Sequence, residues 1–182
     1  RLWRKEREKV LNSADSIMQV LQESISRSQG EYDIPRIQDV LDSLQNSYDS
    51  QAGGFGTAPK FPQAHLLDFL LQHGSSVESA NEMTQMVVHS LNNMRAGGIF
   101  DHIGFGFHRY ATDRFWKVPH FEKMLYDQAQ LALLYTDAYA ATLQPEYEQT
   151  VREIFQFAKN ELHSENGVYF SALNAESEGT EG

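Results

Sequence analysis

Apolar residues recur at steps of three and four along most of this 182-residue chain. Val10, Ala14, Ile17, Leu21 and Ile25 trace one face of a helix. Gly30 closes it, and Asp33-Ile34-Pro35 reads as the opening of the next, with proline in its first turn. Ile37, Val40, Leu41, Leu44 and Tyr48 carry that second helix forward. Ala58-Pro59-Lys60-Phe61-Pro62 must be extended, because closely spaced prolines exclude a helix interior. His65 to His73 predicts a short helix buried on several sides, through Leu66, Leu67, Phe69, Leu70 and Leu71. Val77 to Met94 predicts an amphipathic one, with Met83, Val87, Leu91 and Met94 on one stripe. Pro119 to about Leu143 predicts the longest helix, with Phe121, Met124, Leu125, Leu131, Leu134 and Ala138 on its apolar side. Pro145 opens the last, with Tyr147, Val151, Ile154, Phe155, Ala158 and Leu162 in period and Asn166-Gly167 as its stop. The only strand candidate is short, Gly167 to Ala172.

One turn type repeats. Gly53-Gly54-Phe55, Gly97-Gly98-Ile99 and Asn166-Gly167-Val168 each follow a helix with glycine and then an apolar residue. Six helices thus form three hairpins, with the glycine turns on one edge, as in stacked helical arrays. The expected fold is all-α: residues 1–182 as a single partial domain, three hairpins of a six-hairpin (α/α)6 toroid. The start at Arg1 and the stop in an acidic, glycine-bearing stretch add the expectation that further hairpins are missing.

Composition narrows the function. A net charge of −10 argues against nucleic acid or an anionic membrane as the main partner. No apolar run is long enough for a membrane span. Cysteine is absent, which excludes disulfides and thiolate metal sites; it fits a reducing compartment, so the cytoplasm is the expected location. An incomplete ring would also leave apolar helix faces open, so the chain is expected to self-associate.

Candidate chemistry concentrates from the second glycine turn into the first turns of the long helix. Asp101, His102, His108, Arg109, Trp116, His120, Glu122 and Asp127 all fall there, among glycines and aromatic rings. Rings that stack on C–H faces, carboxylates that accept from hydroxyls, and His or Glu that moves protons are what a polyol site needs. Histidines 102, 108 and 120 lack the short spacing of a metal site, and Asn174, Glu176 and Glu178 lack the full calcium-loop pattern, so neither metal nor cofactor is expected.

Gly53-Gly54-Phe55-Gly56 with Pro59-Lys60-Phe61-Pro62, the run from Gly98 to Tyr110, Trp116, the string Pro119-His120-Phe121-Glu122-Lys123-Met124-Leu125-Tyr126-Asp127-Gln128 and the stretch Phe170 to Gly179 together resemble the YyaL / spermatogenesis-associated protein family. The resemblance covers nearly the whole chain. It implies a thioredoxin-like domain, not present here, fused to a barrel similar to N-acylglucosamine 2-epimerases and six-hairpin glycosidases. The family's acidic loop reads Asp-Ala-Asp-Ser-Glu-Gly, whereas this chain has Asn174-Ala175-Glu176-Ser177-Glu178-Gly179. The first carboxylate is lost and the second gains reach.

The expected function is therefore a carbohydrate-active barrel, epimerase- or glycosidase-like, acting on a small-molecule or carbohydrate ligand. Its rival is a non-catalytic scaffold that binds a glycan or a protein. Glu122, His120 and Asp101 are the catalytic candidates; His102, His108, Arg109, Trp116, Lys60, Asp127 and Glu176 are the substrate-binding ones. Similar epimerases place a Trp and then a Glu at a helix start beside the sugar, which the resemblance carries to Trp116 and Glu122. The plain alternatives are a helix-dipole role for Glu122, an Asp127–Lys123 pair one helical turn apart, a turn-forming Asp101 and a solvated Lys60.

Overall fold

The computed structural model describes residues 2–26, 36–74, 80–177 and 179–181. Gly30, the Asp33-Ile34-Pro35 helix start, Val77 and Glu178 lie outside them. Contacts divide the chain into two units, residues 1–35 and 36–182. The first holds α1 (Leu2–Lys5) and α2 (Arg7–Ser26), whose stripe of Val10, Ile17 and Leu21 is exposed.

The second unit holds α3 (Ile37–Ser47), α4 (Ala64–Gly74), α5 (Ala80–Ala96), α6 (Leu125–Thr142) and α7 (Pro145–Glu161). Packing is tightest between α6 and α7, α4 and α5, and α4 and α6. Periodicity explains the core: Leu67 and Leu70 of α4, Met83, Val87, Leu91 and Met94 of α5, and Leu131, Leu134 and Ala138 of α6 are buried together. Tyr135 is buried too, because its hydroxyl reaches the Leu91 carbonyl at 2.8 Å. Pro145 takes the first helical position of α7 with Glu146 and Glu148 behind it, where a missing N–H costs nothing and negative charge is favoured.

The long helix expected from Pro119 begins six residues later, at Leu125. Its first segment is spent on strand pairing instead. Tyr110–Ala111 (β1) pairs antiparallel with Pro119–His120 (β2), and Lys123–Met124 (β3) with Ala172–Leu173 (β4). The Glu122 carbonyl accepts from Arg109 N–H at 2.8 Å, and Leu125 N–H donates to Ser171 at 2.9 Å. Backbone groups engaged this way cannot also close helical turns. α2, with 20 residues, is therefore longer than α6, with 18. The candidate strand at Gly167–Ala172 reduces to a bridge between His163 and Tyr169 and the start of β4. A final hairpin joins Glu176–Ser177 (β5) to Thr180–Glu181 (β6).

Two glycine turns meet at one tryptophan. The Trp116 indole N–H donates to the Ala52 carbonyl at 2.8 Å, and its own carbonyl accepts from Ile99 N–H at 3.0 Å. Gly54, at φ +68°, lies so close that a Cβ there would sit 2.8 Å from the indole ring. Only glycine satisfies both the backbone angle and the contact.

Away from this rim, α6 and α7 leave an apolar groove of about 490 Å³, into which Leu133, Phe155 and Tyr169 project. All three are more than half exposed. It is the kind of surface on which the self-association expectation rests.

Candidate functional site

Three clusters divide the residues singled out from the sequence. The first is closed. Asp49 accepts from Lys60 Nζ at 2.8 Å, from Arg114 at 2.7 and 2.8 Å, and from the N–H groups of Gln51 and Ala52 at 3.1 Å. The Arg114 guanidinium, against the pull of burial and helped by Lys60, holds the Asp49 carboxyl far below the usual carboxylate range. Lys60 is buried completely and lies 5.0 Å over the Trp116 ring. Lys60 and Trp116 were expected at the ligand; instead both are core, since a fully enclosed amine and indole have no free face to offer. Lys60 is not the solvated lysine of the plain alternative either.

The second cluster braces the glycine-rich loop. Asp101 accepts from Ile103 and Gly104 N–H at 2.9 Å and from Lys123 Nζ at 2.7 Å. Burial works against its charge, but Lys123 and the two amides outweigh it and bring the carboxyl down to about 2. Asp101 is thus a turn former that stays ionised, which corrects its candidacy as a proton-transfer group. Lys123 is engaged there and with the Phe105 carbonyl, so the expected Asp127–Lys123 pair is not formed. His102 donates from Nε2 to the Gly97 carbonyl at 3.1 Å and accepts from Arg95 at 3.3 Å. It belongs to the network of Arg95 with Glu153. His108 is buried, with Nδ1 3.1 Å from the Phe121 carbonyl. Burial, with Lys123 adding to it, lowers its pKa to about 4, so it is a neutral brace. Gln128, missed in the sequence, completes this cluster by accepting from Phe107 N–H at 2.8 Å and donating to Phe107 C=O at 2.7 Å.

The third cluster is open. Lys60 and Ala111 exchange backbone hydrogen bonds at 2.8 Å, which lays the 58–62 segment beside β1. Phe61, Tyr110 and His120 consequently stand in a row, with ring centroids 4.8 Å apart at each step and Tyr110 nearly parallel to His120. Pro62 leads into Gln63, which adopts φ +46° and accepts from the Leu66 and Leu67 N–H groups of α4 on its carbonyl. A glutamine in this left-handed region is strained, and such strain gathers at functional sites. Beside it opens a cavity of about 310 Å³, lined by Phe61, Gln63, His65, Tyr126, Asp127 and Gln130 among others.

Asp127 is in the first turn of α6. Burial pushes its carboxyl up to about 6, with the Glu122 charge adding to the rise and Arg109 opposing it. Glu122 precedes the helix rather than lying in it, so neither the helix-dipole alternative nor its expected position at a helix start holds. It is paired with Arg109 at 2.7 Å. Three enclosed polar atoms have no hydrogen-bond partner among the described residues: Gln63 Oε1, Arg109 Nε and Asp127 Oδ2. Buried polar atoms are nearly always satisfied, so these three stand out; Gln63 and Asp127 are among the residues that line the cavity, and Arg109 is not.

The structure therefore brings Arg109, Glu122 and Asp127 together, with His120 in the adjoining aromatic row. Lys60, Asp101, His102, His108 and Trp116 lie in the braced clusters, and Glu176 sits exposed in the β5–β6 hairpin. Gln63, Tyr126 and Phe61 were missed as site residues. The proline-flanked Phe61 was legible as a rigid loop; Gln63 carried no signal. Among the described residues no group of three or more His, Asp or Glu could hold a metal ion, and no helix is long and apolar enough to cross a membrane.

Solved structures define the fold. A cellobiose 2-epimerase from Bacillus thermoamylovorans matches 76% of this chain and 40% of its own, with TM-score 0.61 at 15% identity. A sugar epimerase from a ruminal bacterium matches 74% and 37%, with TM-score 0.62 at 15% identity. A D-mannose isomerase matches 74% and 34%, with TM-score 0.55 at 17% identity. The helices are thus part of an epimerase-like (α/α)6 toroid. No family model matches the chain. Spermatogenesis-associated protein 20 of Mus musculus is 37% identical over 183 residues, 96% of this chain and 23% of that protein. An uncharacterised protein of Caenorhabditis elegans is 39% identical over 176 residues, 92% of this chain and 24% of its own. The chain spans about a quarter of the length of these relatives, and over that span it belongs to the family of spermatogenesis-associated protein 20.

Proposed function

We propose that this rim belongs to a carbohydrate-active site working by proton transfer, in the manner of an epimerase or a glycosidase. One observation carries the reading: Asp127 lines a cavity, and burial raises its carboxyl to about 6. A group with that pKa can both take and give a proton near neutrality, which is what acid–base catalysis asks of it. Arg109 is paired with Glu122 at 2.7 Å, and its charge acts on Asp127, where it favours the ionised carboxyl. Epimerisation needs a second proton-transfer group across the reacting carbon. His120 is the candidate, held upright by its stack on Tyr110. Asp101 is not part of this proposal. The likeness of the fold to sugar epimerases and a mannose isomerase supports a sugar as the substrate.

Binding of a monosaccharide and disaccharide panel, read by thermal shift on this chain and on a full-length family member, tests the reading. A sugar that stabilises the protein and loses its effect in Asp127→Asn is the expected result. Turnover of that sugar in the full-length protein should fall at least 100-fold in the same variant, the usual weight of a positioned acid or base. A sugar bound equally well by Asp127→Asn, with no turnover to lose, would select the scaffold reading instead.

A further inference from the structure

The cavity also says which sugars it can take. Three features bear on this: charge, hydrogen-bond type and size. Arg109 is the cation whose charge acts on Asp127, and that charge is already met by Glu122 at 2.7 Å. Asp127 adds a second carboxyl beside that pair, felt by Arg109 and repelled by Glu122. The neighbouring amines are committed elsewhere, Lys60 to Asp49 and Lys123 to Asp101. His65 lines the cavity and His120 adjoins it through the aromatic row. Glu122 and Asp127 thus set two carboxyls against the one Arg109 guanidinium, in a chain whose own net charge is −10. A phosphate or uronate guest would bring like charge into a partly desolvated site, at a cost of several-fold to orders of magnitude in affinity.

The polar lining residues suit hydroxyls. Gln63 and Gln130 bring amides and Asp127 a carboxyl to the cavity wall. A sugar hydroxyl can donate to a carboxylate or amide oxygen and accept from an amide N–H; a phosphate dianion can only accept. Phe61 and Tyr126 are each roughly half exposed at the cavity and offer rings for the C–H face of a sugar. A volume of about 310 Å³ lies at the small end of ligand pockets, enough for one ring rather than a chain.

We infer that the Phe61–Gln63–Tyr126–Asp127 cavity is a subsite for a single uncharged sugar ring, selected against phosphorylated and uronic forms by the second carboxyl beside the Arg109–Glu122 pair. The inference rests on the carbohydrate reading above and adds its specificity. It assigns Gln63 a binding role, because this residue lines the cavity on a strained backbone.

The test measures Kd by calorimetry at pH 7.5 for D-mannose and D-glucose, their 6-phosphates, D-glucuronate and inorganic phosphate. The protein is the full-length family member, with Gln63→Ala and Asp127→Asn at the matching positions and circular dichroism as the folding check. The neutral sugars should bind at least 10-fold more tightly than the charged forms. Gln63→Ala should weaken the neutral sugar several-fold, and Asp127→Asn should narrow the gap to the charged forms. A 6-phosphate or glucuronate that binds as tightly as its neutral parent, or phosphate binding alone at this site, overturns the specificity while leaving a carbohydrate site standing. Silence from every sugar overturns both.

Discussion

Asp49 and Asp127 are two enclosed carboxylates on the same rim with opposite fates. Asp49 has two cations and two amides on its oxygens, and its pKa is driven down. Asp127 has an oxygen with no partner, and its pKa is driven up. Burial pushes both the same way, so the difference lies in the hydrogen bonds. A saturated carboxylate holds three segments of chain together: the first glycine turn, the Lys60 loop and the Arg114 loop. An unsaturated one stores the capacity to bind or to move a proton. Residue type and neighbourhood in sequence do not separate the two; the count of partners does.

The largest effect should come from breaking the saturated member. Asp49→Ala leaves Lys60 and Arg114 without their anion, and removing one partner of a buried pair costs about 3–5 kcal/mol. Urea unfolding should show that loss, and a change under about 1 kcal/mol would mean the cluster contributes little. Because the Asp49 carboxyl is held so low, its contribution is present above the unfolded pKa and is lost only in strong acid. The penalty should therefore be the same at pH 5 and pH 8.

Gly54→Ala tests whether the glycine turn is as tightly packed as the distance to Trp116 implies. A Cβ at 2.8 Å from the ring, on a backbone at φ +68°, should cost about 1–3 kcal/mol. A thermal melt unchanged by the substitution would show that the indole can move.

Asp127→Asn should do the reverse of Asp49→Ala. A carboxyl with a raised native pKa costs the fold stability when ionised, so the cost appears as pH rises from about 4 towards 6 and persists above. The variant should be more stable than the parent by about 1 kcal/mol at pH 8, after allowance for partial solvent access, and nearly equal at pH 4. A stability difference independent of pH would remove the raised pKa and, with it, the contrast to Asp49.

The smallest stability effect belongs to Arg109→Gln. The Arg109–Glu122 pair is partly exposed, and such pairs are worth about 0–1 kcal/mol. Melting should hardly change, while the ligand-induced shift should drop. Loss of stability with ligand binding intact would recast the pair as a brace.

The helices were legible because burial follows a period, and Val87, Leu91 and Leu134 show it plainly. Glycine turns were legible because few other residues tolerate those angles. The start of α6 was not. Nothing local in Pro119 to Met124 forbids a helix; partners at Tyr110, Arg109 and Leu173, distant in sequence, decide it. The site followed the same rule. The sequence marks the window that contains Arg109, His120, Glu122 and Asp127, but not which histidines and carboxylates are already satisfied. Lys60, Asp101 and His108 look as chemical as Asp127 until their partners are counted. Gln63 carries its role in a backbone angle, which composition does not record.

Gln128 follows Asp127 and grips both backbone groups of Phe107, donating to the carbonyl and accepting from the amide. No other common side chain at that reach repeats this: glutamate lacks the donor, lysine the acceptor, and asparagine is a methylene short. The amide therefore works as an index mark on the helix. It sets which way the first turn of α6 faces and so where the preceding carboxyl points. Among more distant relatives, that glutamine becomes a marker worth searching for: a chain that keeps it should keep the aim of residue 127, whatever side chain stands there.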